Sequence, residues 1–419
     1  MDNELLIAAG TVDITPRRPI MLGGYAGRTT PFQGVATQLE ANVLSITSAS
    51  SRLLIVSTDL LYPGSILRAE LLRELGSTYR DENLFLCASH THYAPMTAPS
   101  MPRLGIVDED YVRWVSQEIS SSIKSLSTRR SAFSCAYSEG AVDHSINRRL
   151  ACLRLTKSGL SRSIGFGPNP AGERDESVRI IKFLQPSGSP IALIWNYACH
   201  PCDCCDRLQV SAAFPGIVRS RLRKEFGDIP ILFFQGFSGN VRPPFSGTSF
   251  GVKPVIKRII MGPQFKEPTR YESESWSNSL AESVSSLSQL PSRPLDIHSP
   301  VARRVNIPED EYTKGGDGDK SLCWHLIDCG GFKIAGINAE PVVQYRRLIQ
   351  GYCGDVPLLT VGCIDQTHCY LPIDDMIPEG GYEVDGFRPL FNFGGRFLDH
   401  IQESIVRKVE DSFASSFDR

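Results

Sequence analysis

Apolar residues gather along this chain in short dense blocks separated by polar, turn-rich stretches. "RLLIVSTDLL" (52–61), "NLFLCAS" (83–89), "VRIIKFLQ" (178–185), "IALIWNYAC" (191–199), "IPILFFQG" (229–236), "FKIAGINA" (332–339) and "VPLLTVGC" (356–363) are hydrophobic almost throughout. A strand with one wet face alternates polar and apolar positions, so runs of this kind predict strands covered on both faces. Two other segments carry helical spacing. Residues 108–126 place Asp108 as an N-cap and Val112, Val115, Ile119 and Ile123 on one face, and residues 396–413 repeat the spacing with Phe397, Ile401, Ile405 and Val409. "QPSGSP" (185–190) between two strand runs predicts an antiparallel hairpin, hence a mixed sheet. "PEDEYTKGGDGDK" (308–320) is charged and glycine-rich and is expected to be an exposed loop. With no internal repeat of 20 to 50 residues and no long linker, the expected fold is α/β, a mixed β-sheet core flanked by helices, in one catalytic domain over residues 1–419.

Composition narrows the partners. A chain of 419 residues, 41% hydrophobic, can bury a large core. Its 44 basic and 46 acidic side chains nearly cancel and are interspersed, so no long-range field gathers nucleic acid or an anionic membrane. A small-molecule partner is expected instead. The start, "MDNELLIAAGTVDITP", lacks the basic-then-apolar pattern of a secretory signal, and no run approaches the roughly 18 apolar residues of a membrane span. The twelve cysteines are mostly single and embedded in apolar runs, as suits reduced thiols and a cytoplasmic location.

Polar residues with chemical potential sit where five of the predicted strands end: "SHTH", "CHP", "QGFSGNVRPP", "AEP" and "DQTHCY". In α/β sheets ligands collect outside the carboxyl ends of strands, which points to one shared site. His90 and His92 are two apart, so extended backbone would send both rings to one face. His200 ends another run, where a lone histidine is as readily a structural group. Glu340 directly follows an apolar run, where burial requires a partner or a cation; a helix N-terminal acid in "EPVVQYRRLI" is the alternative. Two histidines, a carboxylate and an open position form the ligand set of hydrolytic zinc sites. Cys199, Cys202, Cys204 and Cys205 in "CHPCDCC" suggest either a thiolate site or incidental thiols, and no second cysteine pair at finger-like spacing supports the former. "GFSGN" around Ser238 lacks the spacing of a nucleophile elbow.

These stretches, together with "AAGTVDITP", "MLGGYAGR", "STDLL" (57–61), "SINRR" (145–149), "INAEPVVQYRR" (337–347) and "CYLP" through "GGYEVDG" (369–386), resemble the N-terminal catalytic domain of the neutral/alkaline ceramidase family, in the family's order. The resemblance implies a zinc-dependent amidase acting on N-acyl groups. It implies His90, His200, Glu340 and Tyr370 as Zn2+ ligands, with His92, Arg148 and Tyr382 as the catalytic groups around the ion. Two features depart from the family. Where its motif reads Gly-Asp-Val-Ser-Pro-Asn, "GNVRPP" has Asn240 for the acid and Arg242 for the serine. Both positions are expected to contact substrate. An arginine fork favours an anionic or strongly polar ligand over a lipid alcohol, unless Arg242 pairs with a neighbouring acid. The family's further C-terminal sandwich domain is not expected within these 419 residues. The expected activity is hydrolysis of a small acyl-amide; acyl transfer, amide formation or ester cleavage at the same zinc site is the alternative.

Overall fold

Three β-sheets are built to one plan. The structure is a computed structural model describing residues 4–156, 159–247 and 262–414. In the first sheet Leu6–Asp13, Glu40–Thr47 and Arg52–Thr58 are antiparallel neighbours, and helix Ser65–Leu75 then carries the chain over to Leu84–Ala88, parallel to Arg52–Thr58. In the second, Ser134–Ala141, Ser177–Leu184 and Pro190–Tyr197 are followed by helix Ala213–Phe226 and the parallel strand Ile231–Gln235. In the third, Ile297–Ile307, Leu322–Gly330 and Lys333–Ile337 are followed by helix Gln344–Gln350 and the parallel strand Leu358–Val361. All seven apolar runs are strands of these sheets, and the fold is α/β with mixed sheets.

The burial explains why those runs lack polar alternation. The inner faces of all three sheets meet in one core that includes Leu44, Ile55, Phe85, Ile181, Ile194, Phe234, Ile327, Ile334 and Val361. Each outer face is roofed by helices. Val112, Val115 and Ile119 of helix Glu109–Leu126 pack with Val43 and Val56, while Phe214, Val218 and Leu280 pack with Trp195 and Phe233. Ile405 and Val409 of helix Gln402–Ala414 pack with Trp324. Each such fully buried Leu, Ile or Val contributes about 2 kcal/mol. Helix Glu109–Leu126 starts where expected, because the Asp108 side chain accepts from the Tyr111 amide at 2.9 Å.

Two local expectations are corrected. The last helix spans Gln402–Ala414 and not 396 onward: Arg396–Phe397 pairs with Thr313–Lys314, and Asp374 Oδ1 accepts from the Ile401 and Gln402 amides at 2.9 Å each, which starts the helix there. Phe397 is buried, but from a strand. The 308–320 stretch is likewise not wholly exposed. Glu309 and Tyr312 are buried, and Glu309 Oε2 accepts from the Gly318 amide at 2.7 Å.

No described helix is long and apolar enough to cross a membrane.

Candidate metal centre

Each three-strand-plus-crossover unit sends a polar side chain from the carboxyl end of a strand toward one point. His90 and His92 follow Leu84–Ala88, His200 follows Pro190–Tyr197, and Glu340 follows Lys333–Ile337. Glu340–Pro341 then pairs in parallel with Tyr370–Leu371, in a register that sets Glu340 beside Tyr370. Helix Gln344–Gln350 begins four residues after Glu340, so the alternative of a helix N-terminal acid is set aside.

His90 is not in extended backbone as its spacing suggested. Its φ of 65° is left-handed, an uncommon state for a residue with a Cβ, and it turns the chain where the strand has ended. The two rings nevertheless approach with centroids 5.0 Å apart, and the His200 ring lies 4.9 Å from that of His90. All three rings and Glu340 lie in contact with one another's polar atoms within 4.8 Å in two overlapping groups, His90–His92–His200 and His90–Glu340–Cys363.

The backbone fixes which ring nitrogens are free. His90 Nδ1 donates to the Leu61 carbonyl at 3.0 Å, and His200 Nδ1 to the Ser238 and Val241 carbonyls at 2.8 and 3.0 Å. His92 Nδ1 donates to the Gly24 carbonyl at 3.2 Å. In a neutral imidazole the opposite nitrogen then carries a lone pair. Yet Nε2 of His90 and Nε2 of His200 face Glu340 Oε2 at 3.4 and 3.2 Å, and His200 Nε2 lies 3.4 Å from the Tyr370 hydroxyl. Burial lowers the pKa of His200 to about 4, helped by the Arg148 charge, and holds His92 well below an ordinary histidine. Burial acts the other way on Glu340, but the fields of His90 and His200 hold it well below the usual carboxylate range. At His200 burial prevails: its neutral ring, with the proton on Nδ1, turns the Nε2 lone pair toward that carboxylate.

Lone pairs aimed at one another repel unless a cation lies between them. A tetrahedral ion with ligand bonds of about 2.1 Å has ligand–ligand edges of about 3.4 Å, which is the spacing of these atoms. The donor set therefore fits a divalent metal. Nε2 of His90 and of His92 are buried without a hydrogen-bond partner among the described residues, as a ligand atom and a proton-accepting neighbour would be.

Arg148 stands beside Tyr370, its guanidinium carbon 5.3 Å from the Tyr370 ring and 5.1 Å from the Tyr382 ring. Its Nε donates to Glu383 Oε1 at 2.8 Å while its Nη2 is buried with no hydrogen-bond partner among the described residues. Glu383 Oε2 accepts from Arg149 at 3.0 Å. Tyr382 opens a π-helical turn, Tyr382–Gly386, whose Glu383 is thereby tied to both arginines. The Tyr382 hydroxyl is pushed up to about 12 by burial, against the Arg148 charge.

Asn240 corrects an expectation. It is fully buried, with Oδ1 accepting from the Val343 amide at 2.9 Å and Nδ2 donating to Gln344 at 3.1 Å. Its side chain braces the Glu340 loop and is not offered to a ligand. Arg242 is half-buried, its guanidinium over the Phe166 and Phe265 rings, and is paired with no acid among the described residues. The cysteine cluster is split: Cys199 and Cys202 are buried, Cys204 and Cys205 half-buried, and no three of them form a ligand group among the described residues. Two neighbours of the centre had no sequence signal. Tyr62 donates to Glu340 Oε1 at 2.5 Å, and Cys363 brings its thiol next to His90 and Glu340 from a left-handed φ of 56°.

No protein-family model matches the chain. Two solved structures share its fold. One is neutral ceramidase from Pseudomonas aeruginosa, with a TM-score of 0.74 and 15% identity over 99% of this chain and 75% of that one. The other is a ceramidase complexed with C2, with a TM-score of 0.72, 15% identity and the same coverage.

Proposed function

We propose that the protein is a zinc-dependent amidohydrolase that cleaves an N-acyl amide bond, acting on a small polar or anionic substrate and not on ceramide. The observation that carries this reading is the set of lone-pair atoms from His90, His200, Glu340 and Tyr370, whose tautomers the backbone has fixed and whose mutual spacing suits one tetrahedral ion. The fold of the ceramidase structures supports it.

Zinc supplies Lewis acidity, polarising a carbonyl and acidifying water near neutral pH. The chain's own residues do the rest. Carbonyls of Leu61, Ser238 and Val241 hold His90 and His200 in the tautomer that leaves Nε2 free, and Tyr62 fixes one oxygen of Glu340. His92 is neutral, with its Nδ1 proton engaged and Nε2 open, so it accepts a proton at Nε2 and, being weakly basic in this burial, passes it readily to the departing amine. Arg148 Nη2 and the Tyr382 hydroxyl are donors for the oxygen on which negative charge grows; one well-placed donor contributes on the order of 3 kcal/mol.

The test is a metal assay run beside an amide-hydrolysis assay on wild type and His200→Ala. Near-stoichiometric zinc and hydrolysis of N-acyl amides, both lost together in the variant, are expected. Wild type holding no divalent metal after purification in zinc-containing buffer would refute the reading.

A further inference from the structure

Arg242 carries a charge that its surroundings do not answer. It is half-buried, its Nε is enclosed without a hydrogen-bond partner, and no carboxylate lies within ion-pair distance of it among the described residues. Residues 248–261, which follow shortly in sequence and lie outside the described residues, contain no Asp or Glu. A guanidinium drawn partly out of water without a counter-charge is costly, and a ligand anion would offset that cost.

Its position relates it to the metal centre. The guanidinium carbon lies 4.5 Å from the Phe265 ring and 5.6 Å from the Phe166 ring. Arg148 approaches the same Phe166 ring at 5.0 Å and the Tyr370 ring at 5.3 Å. Arg242 therefore shares one phenyl ring with the residue that flanks the centre. Phe166 is 40% exposed, which puts it at the surface and not in the core. On the His92 side of the centre, Arg28 donates to the Gly23 and His92 carbonyls at 2.7 and 3.0 Å and has no ion pair among the described residues.

We infer that Arg242 anchors a carboxylate carried by the substrate a few bonds from the scissile amide, with Phe166 and Phe265 forming the apolar wall along which the connecting chain lies. This rests on the amidohydrolase reading, and it names the substrate class: short N-acyl amides with a free carboxylate, on the acyl half or on the amine half. One guanidinium with a free fork matches one carboxylate. The stem of such a ligand needs only the ring contacts, so a long lipid chain is not called for.

The experiment compares two series in wild type, Arg242→Gln and Arg242→Lys. In one, a glutaryl anilide is set against its methyl ester, with the carboxylate on the acyl half. In the other, N-acetylglycine is set against its methyl ester, with the carboxylate on the amine half, amide cleavage being followed by release of glycine or its ester. Wild type is expected to favour the free acid at least tenfold in kcat/KM in one series, through KM, and that series identifies the half. The preference should fall to near one in Arg242→Gln and be partly kept in Arg242→Lys, all variants having wild-type circular dichroism. Equal rates for acid and ester in both series, or a preference unchanged in Arg242→Gln, would overturn the inference. A binding arm separates it from the amidohydrolase reading: if no amide is turned over, that reading fails, and glutarate then decides the subsite. Glutarate raising the Tm of wild type but not of Arg242→Gln supports the anchor; no rise in wild type removes it.

Discussion

Replacing Glu383 by glutamine tests whether the acid behind the centre holds it together. Glu383 is 1% exposed and takes Arg148 Nε at 2.8 Å and Arg149 Nη1 at 3.0 Å on its two oxygens. Glutamine keeps the shape but removes the charge and turns one acceptor into a donor facing a guanidinium. Arg149 keeps Glu379 at 2.9 Å, but Glu379 is half exposed and offers little in exchange; Arg148 has no second acid within ion-pair distance among the described residues. Removing one partner of a buried ion pair costs about 3–5 kcal/mol, and the surviving Arg149–Glu379 contact places this case near the lower end. With an unfolding entropy of roughly 2.1 cal/mol/K per residue over 419 residues, about 3 kcal/mol corresponds to a fall in Tm of about 3–4 °C. Activity should fall further than stability, because Arg148 and the turn bearing Tyr382 are both anchored by this carboxylate. Calorimetric melting and kcat on an N-acyl amide, measured together, check the argument. A variant melting within 1 °C of wild type with unchanged kcat would show that the pair contributes nothing.

Gly24 has φ +104°, and a Cβ there would stand 2.8 Å from His92 Nδ1, so Gly24→Ala is expected to cost roughly 1–3 kcal/mol in thermal melts and to reduce kcat more than tenfold by displacing His92. Asp203 is wholly buried, and burial raises it from 3.8 to about 6 against bonds from Ser277 and the Phe214 amide. A carboxyl raised on folding stabilises fully below its unfolded pKa and loses that contribution as pH climbs through its folded one, so wild type should lose about 3 kcal/mol between pH 4 and pH 7 from this group. Asp203→Asn should flatten that part of a Tm-versus-pH curve; an unaltered curve would refute the assignment. Cys202→Ser and the double change Cys204→Ser with Cys205→Ser should retain bound metal, since the candidate ligand groups contain none of these thiols; loss of metal would revive a thiolate site. Chelator dialysis should lower Tm by about 3 °C relative to protein in zinc at a hundredfold its Kd, a difference absent in His200→Ala.

The strands were legible because they are covered on both faces, a condition that writes itself into a run such as "IALIWNYAC" without regard to its neighbours. Their carboxyl ends were legible for the same reason, and His90, His200 and Glu340 stand there. What could not be read depends on distant chain. The helix start at Gln402 is set by Asp374, and no local spacing announces it. The left-handed turn at His90 defeats an argument from alternation, although the rings still converge. Asn240 looked like a ligand contact from its place in a motif, yet its partners Val343 and Gln344 are a hundred residues further on. Tyr62, Cys363 and Glu383 carry no local mark, because a tyrosine, a cysteine or an acid in a loop is ordinary until the fold brings a partner to it. The threefold recurrence of the sheet plan was hidden too: each copy is longer than the period searched, and only the backbone repeats.

Because the proposed ligands His90, His200 and Glu340 stand at strand ends of three different units, no single unit carries the whole set. The tyrosine that steadies Glu340 is separated from it by 278 positions along the polypeptide. A nascent chain still lacking its third unit has its histidines but neither Glu340 nor Tyr370, so the proposed ligand set is incomplete. On the proposed metal reading, acquisition of the ion would thus wait for molecules whose synthesis and assembly have run to completion.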